Sequence, residues 1–243
     1  MTVSMLNAPR RRTAADEAEH ALFQGIMDGA IPPGAPLRLQ DLADQLDMSM
    51  MPIREALRRL QGLGLVEIVA HKGAWVRPLT VEDLYDTYFT RMHLEALALA
   101  TAARRMTVEA ADQARAALEE KRAADARGDL LASRDAHERF HFALYDESGS
   151  EWLVRSIWPV WRNSERYRVE SMRDPVHARQ RALEHDGMLD ALEAGDGDEA
   201  VRLLHRHLRS SVDLVASHLP AGAAEPRVEL PDVADLVSGG RAA

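Results

Sequence analysis

The sequence predicts a mainly α protein: an N-terminal winged helix-turn-helix followed by an all-helical bundle of six or seven helices. Three observations point there. Apolar residues make up 46% of the 243 residues and aromatics only 5%, while Ala, Leu, Arg and Glu are abundant, a balance that favours helices over a β-sandwich. The chain changes character near "VRPLT" (76–80), with short helical patterns and a strand pair before it and long helical patterns after it. The long patterns are separated by capping and turn signals, as in a bundle.

The first unit is expected over residues 13–78, preceded by a disordered arm over 1–12. Leu39, Leu42 and Leu46 form one short apolar face, and "DMS" makes a tight turn. Ile53, Ala56, Leu57 and Leu60 then give a second face at helical spacing, which Gly62 and Gly64 stop. "LVEIV" alternates as a strand, and "AWVRP" can pair with it across "AHKG". Helix, turn, helix and hairpin in this order make the winged helix-turn-helix.

The helical bundle is expected over 79–219. Thr80 can cap its first helix, with Asp83 at the third position, and Thr107 the next. "RGDL" (127–130), "SGS" (148–150), "RDP" (173–175) and "AGDGD" (194–198) mark the later breaks. The remaining 220–243, rich in Pro, Gly and Ala, lacks a sustained helical period and is expected to be a flexible tail.

Charge and cysteine content bound the function. The net charge is -9, so overall basicity cannot argue for nucleic acid. Yet residues 1–78 hold 9 Lys+Arg and 9 Asp+Glu, which confines the acidity to the remainder and leaves room for a basic face near the N-terminus. With no cysteine, disulfides and thiolate metal sites are excluded and a reducing compartment is expected. "MTVSMLNAPRRR" has no apolar core of a secretory signal, and no apolar run approaches bilayer length. These features predict a cytoplasmic protein with no membrane partner.

The second helix of the first unit carries the chemistry of a DNA reader. Arg54, Arg58 and Arg59 point away from its apolar stripe, and Ser49 stands where a helix N-terminus would approach a phosphate. Pro52 is tolerated in the first turn. Such a helix suits the major groove, where Arg can bridge N7 and O6 of guanine. His71 and Lys72 at the hairpin tip can reach the backbone or the minor groove. The competing reading is a solvated basic face on a small protein-binding winged helix.

The stretch "DLADQLDMSMMPIREALRRLQGLGLVEIVAHKGAWVRPL" resembles the DNA-binding domain of GntR-family transcriptional regulators, over roughly 14–78. The shared pattern is a turn, then "PxREAL..L...GLV", then a glycine-tipped wing. The resemblance implies DNA contacts from Arg38, Ser49, Met50, Met51, Arg54, Arg58, His71, Lys72 and Gly73. One departure stands out: the family usually has Arg-Thr where this chain has Met50 and Met51.

"HERFH" (137–141) raises a separate question, since it fits the H-E-x-x-H pattern of zinc metalloproteases. Residues four apart on a helix share a face, so His137 and His141 can reach one ion. His185 lies on the side of Leu189 and Leu192, and His207 beside Leu203, Leu204 and Leu208, both near apolar stripes. Residues 80–218 resemble the FCD effector domain of the FadR-like branch of the GntR family. "RMHLEALALATAA", "HERFHFALYDESGS" and "EHDGMLDALEAGDGDEAVRLLHRHL" carry that resemblance. It implies a divalent metal, Zn²⁺ or a borderline ion such as Ni²⁺, held by His137, His141, His185 and His207. His137 stands where the family more often has Asp; Asp135, two residues away, faces elsewhere.

The resemblance further implies a homodimer on a palindromic double-stranded operator and a small organic-acid effector. Arg91 matches the Arg that often binds the effector carboxylate; an ion pair with Glu95 at i+4 is the competing role, and Arg162 and Arg166 are other candidates. The alternative function is a metal-dependent hydrolase fused to a DNA-binding head, with Glu138 as general base. The extended protease pattern fails, because 144 is Leu and 147 is Glu. Glu138 is rotated about 100° from the histidine face, as in any such motif, and in this bundle is expected to face a neighbouring helix or solvent. A third reading is a metal that only stabilises the bundle. His20, His71, His93, His177, His205 and His218 show no comparable convergence.

Overall fold

The structure, a computed structural model, describes residues 12–171, 175–219 and 226–241. It divides into two compact units, Met1–Pro78 and Leu79–Ala243.

The first unit is a winged helix-turn-helix of α1 (Ala14–Met27), α2 (Leu39–Leu46), α3 (Met50–Gly62) and the antiparallel pair β1 (Val66–Val69) and β2 (Gly73–Val76). Asp47 ends α2 in the left-handed conformation, which turns the chain sharply into α3. Ile53, Ala56, Leu57 and Leu60 of α3 bury against Ala18, Leu22 and Phe23 of α1 and the inner face of the hairpin. Val66 pairs with Val76 and Val69 with Gly73, so residues 70–72 form the wing tip. His71 there has φ 62 and Gly73 φ 120, a tip conformation that favours glycine at 73.

The second unit contains α4 (Val81–Ala102), α5 (Val108–Arg127), α6 (Leu130–Asp146), α7 (Glu151–Ser171), α8 (Pro175–Glu193), α9 (Gly197–His218) and α10 (Val233–Arg241). Among the described residues these are seven helices around one core, in which Tyr88, Met92, Leu99, Phe140, Leu144, Trp161, Leu189 and Leu204 are buried. Each break has a chemical cause. Thr80, Thr107, Asp129 and Asp196 each accept a hydrogen bond from the backbone amide three residues on. Gly128 closes α5 in the left-handed region. Of the "RDP" break, residues 173 and 174 lie outside the described residues; α8 starts at Pro175.

The expectation of a flexible tail over 220–243 is corrected at its end. Residues 233–241 form α10, which packs on α4 and α9 and buries Leu236 and Gly240. His205 Nε2 lies 3.0 Å from the Pro231 carbonyl, and Arg227 pairs with Glu82 at 2.7 Å, so the approach to α10 is also fastened. A helix of nine residues is marginal alone and exists here through tertiary packing, which composition does not reveal. The predicted arm falls on residues outside the description, except for Arg12.

Candidate DNA-binding face and histidine cluster

The first unit presents a groove of about 710 Å³ between the start of α2, the outer face of α3 and the hairpin. Arg38, Arg54, Arg58, His71 and Lys72 line it, together with Gly73 and Trp75, and no described carboxylate does. All nine residues expected to contact DNA are exposed, including Ser49, Met50 and Met51 at the N-terminal end of α3.

Ser49 is the N-cap of α3 but makes no capping hydrogen bond. The reason is Pro52. It occupies the third helical position, where the other capped helices supply their bonded amide, and proline has no N–H. The Ser49 hydroxyl is thus left for an outside partner. No acidic residue sits in this first turn, so the positive end of the helix dipole is not offset.

Arg59, which the sequence places on the same polar face, has a different role. Its guanidinium bonds Asp16 at 2.6 Å and Glu19 at 3.2 Å on α1, and Glu55 at 2.5 Å on its own helix. It clamps α3 to α1. The Thr13 backbone amide, followed by Arg59, holds the Asp16 carboxyl at about 2, below its ordinary value.

The second unit brings four histidines together. His137 and His141 come from α6, His185 from α8 and His207 from α9; all are buried, and one ring nitrogen from each lies within 4.8 Å of the others. Gly187 helps: a Cβ there would meet Leu203 Cδ1 at 3.1 Å, so its absence lets α8 and α9 approach closely beside His185 and His207. Burial, then the neighbouring positive groups and rings, pushes His137, His141 and His185 well below the ordinary imidazole value. His207 is lowered by burial against the opposing pull of Glu184. The rings are therefore neutral near pH 7, the state in which a histidine offers a lone pair.

Their outer contacts fix which nitrogen faces inward. Tyr145 donates its hydroxyl hydrogen to Glu95 Oε2 at 2.6 Å, so towards His141 Nδ1, 3.1 Å away, its oxygen can only accept. His141 Nδ1 carries the hydrogen, and its Nε2 lone pair points into the cluster. His207 Nδ1 faces Glu184 Oε2 at 3.1 Å, which fixes the same tautomer. His141 Nε2 and His185 Nε2 stand 3.2 Å apart, and the buried His137 Nδ1 has no protein partner. Tetrahedral Zn²⁺ with bonds of about 2.0–2.1 Å would hold nitrogens roughly 3.4 Å apart. The donor set, its protonation and the unpaired nitrogen fit such an ion.

Arg91 is buried beside the cluster, and its partner is Glu95. Nε and one terminal nitrogen bond the Glu95 carboxylate at 2.5 and 3.2 Å, and the other terminal nitrogen bonds Ser164 Oγ at 3.0 Å. Burial works against the Arg91 charge, but Glu95, together with Tyr88 and Tyr145, outweighs it and holds the guanidinium charged. A relay of Arg91, Glu95, Tyr145 and His141 results. Sequence reasoning missed Tyr145, one turn after His141 on α6, and Glu184, which meets His207 across helices; it named Glu95 only as a partner of Arg91 and missed its bond to Tyr145. It also missed Lys121, Arg168 and Arg181, whose charges depress the histidines.

Glu138 lies off the cluster and pairs with Arg162 of α7 at 3.6 Å, while Asp135 is exposed. Arg166 bonds Asp83 at 2.5 Å. His20, His71, His93 and His218 are exposed; the His177 side chain lies outside the described residues.

Comparison with known proteins decides the family. The profile of bacterial regulatory proteins of the gntR family matches residues 14–76, and that of the FCD domain matches 86–210, half of the chain by itself.

The chain belongs to the GntR family of transcriptional regulators.

The "Probable D-xylose utilization operon transcriptional repressor" of Paenarthrobacter nicotinovorans is 31% identical to this regulator over 213 residues, 88% of this chain and 90% of that one. The Nta operon transcriptional regulator of Aminobacter aminovorans is 30% identical over 185 residues, 75% and 85% of the two chains. Among solved structures, E. coli McbR/YncC shares the fold with a TM-score of 0.73 at 24% identity, over 86% of this chain and 99% of that one. The regulator is a DNA-binding protein and not an enzyme, and the hydrolase alternative finds no support among these relatives. No described helix is long and apolar enough to cross a membrane.

Proposed function

We propose that this GntR regulator binds a divalent metal, Zn²⁺ or a borderline ion, through His137, His141, His185 and His207, and that a small organic acid bound there modulates operator affinity. The observation that carries this reading is the hydrogen-bond chain from Glu95 through Tyr145 to His141. Tyr145 and Glu95 lock its Nδ1–H outward, so Nε2 meets His185 Nε2 at 3.2 Å with a lone pair to give. When bound, the ion supplies a positive centre to which a carboxylate can be drawn. Lys121, Arg168 and Arg181 add positive potential at the rings. Arg91 is assigned to holding Glu95, and through it Tyr145, in place; that role brings its charge close to an incoming carboxylate.

In the first unit, Arg54 and Arg58 read base edges, while Arg38, Ser49, Lys72 and the wing residues His71 and Gly73 follow the phosphates. The regulator acts in the cytoplasm as a homodimer on a palindromic operator, because one winged helix reads one half-site. Effector binding biases the freedom of the two DNA-binding heads by favouring one arrangement.

The test uses full-length protein purified without chelators. Mass spectrometry should find roughly one metal per chain in the wild type and in Glu138→Gln, and almost none in His141→Ala, which loses a ligand. A screen of small organic acids by thermal stability should give hits that disappear after EDTA. Wild-type protein that takes up no Zn²⁺, Ni²⁺ or Mn²⁺ on reconstitution would remove the metal site. Zn²⁺-dependent peptide hydrolysis lost in Glu138→Gln would instead restore the hydrolase reading.

A further inference from the structure

Most large apolar side chains of the first unit are buried, but Met51 is 72% exposed and Met50 47% exposed, side by side in the first turn of α3. At about 100° per residue, Met51 lies nearly opposite the buried stripe of Ile53, Ala56, Leu57 and Leu60, and within roughly 60° of Arg54 and Arg58. Met50 is one helical turn before Arg54 and extends the same row. The pair therefore continues the cationic groove-facing surface, at the end of the helix where Ser49 and the open amides sit.

A thioether cannot donate a hydrogen bond and accepts one only weakly, so it does not bridge N7 and O6 of guanine. Among the base edges of the major groove, the one apolar feature is the C5-methyl of thymine. Methionine is unbranched and adaptable, and it matches such a methyl without a fixed geometry. We propose that Met51, flanked by Met50, reads the C5-methyl of a thymine in each operator half-site. A T·A pair then stands at the position facing the first turn of α3, beside the positions read by Arg54 and Arg58. The proposal rests on the DNA-reading face described above and adds a base identity to it.

The experiment first selects operators for the full-length wild-type protein from a random duplex library. Deoxyuridine then replaces each half-site thymine in turn, which removes the methyl and nothing else. At one thymine the wild type should bind about fourfold more weakly, the effect of one methyl buried against an apolar side chain. That penalty should vanish in Met51→Ala, whose exposed site leaves folding intact by circular dichroism. If the penalty is absent at every thymine, or persists undiminished in both Met50→Ala and Met51→Ala, the proposal is overturned while DNA reading stands. Operator affinity unchanged in the Met50→Ala, Met51→Ala double variant also overturns it and leaves the pair as a surface for something other than DNA. Failure to enrich any sequence overturns the DNA-reading face itself, and this proposal with it.

Discussion

His141 Nε2 lies 3.2 Å from His185 Nε2, and of the two it is His141 that must accept. Its other nitrogen is committed to Tyr145, whose hydroxyl hydrogen is in turn committed to Glu95. Without a metal, His185 donates across the gap. An ion held there would need the lone pairs of both Nε2 atoms, so the His185 hydrogen would have to sit on Nδ1 instead. The hydrogen bonds behind His141 set its tautomer, and that of His185 would change with the ion.

Tyr145→Phe should therefore weaken metal binding without removing a ligand. Losing the group that orients a coordinating histidine typically costs 10–100-fold in affinity. Competition against a chelator of known affinity reads the change, and far-ultraviolet dichroism checks that the helices persist. Affinity equal to wild type would mean that the Glu95–Tyr145–His141 relay does not set the tautomer.

Much of this was legible in the sequence, for identifiable reasons. The two units show because the hydrophobic period changes near Pro78 and because Thr80 and Thr107 are strong caps. His137 and His141 show because a four-residue spacing fixes a common face whatever else packs there. What stayed hidden depends on contacts between distant segments. Arg59 reads like Arg54 and Arg58 until Asp16, 43 positions earlier, takes its guanidinium. Tyr145 stands one turn after His141 and shares its face, but Glu95, which takes its hydroxyl hydrogen, is 50 positions away and nothing local marks that bond. The Arg91–Glu95 spacing was visible and ambiguous; burial of both groups makes it an ion pair inside the core.

The two cationic positions in the DNA groove should behave differently on substitution. Arg54→Ala should cost about 1–3 kcal/mol and relax preference at one half-site position, because a bidentate base contact is lost. Lys72→Ala should weaken all sequences alike and lower the slope of log K against log[salt] by about one, because a phosphate contact releases a counterion. Fluorescence anisotropy across a salt series separates the two. A salt slope unchanged in Lys72→Ala would take the wing off the phosphates.

The clamp between α1 and α3 predicts a pH effect confined to strong acid. Asp16 is held at about 2 in the folded chain, against an ordinary carboxyl value of 3.8. Between those values the unfolded chain binds the proton and the folded chain does not. The contribution of Asp16 is thus present in full above about 3.8 and is lost as pH falls towards 2. Asp16→Asn should be less stable than wild type at pH 7, with the gap closing below pH 4. Hydrogen-exchange protection of α1 and α3 in the full chain measures this, and a gap independent of pH would mean that the loss does not run through the ionised carboxylate, held first by the Thr13 amide and then by Arg59.

The C-terminal helix makes the last prediction. Leu236 is buried against α4 and α9, and a Cβ on Gly240 would stand 2.6 Å from Ala100 Cβ. Leu236→Ala should lower the stability of the second unit by about 2 kcal/mol, at the low end for a buried leucine because a helix at the edge of the bundle can settle into the space. Gly240→Leu should act differently. It cannot be accommodated with α10 in place, so the end of the helix should lift from α4 and lose its amide protection while the rest of the bundle keeps its own. Ser238→Ala, exposed on the same helix, is the control and should change neither. Urea midpoints give the first effect and hydrogen exchange the second. Equal midpoints for Leu236→Ala and wild type would show that α10 adds nothing to the core it touches.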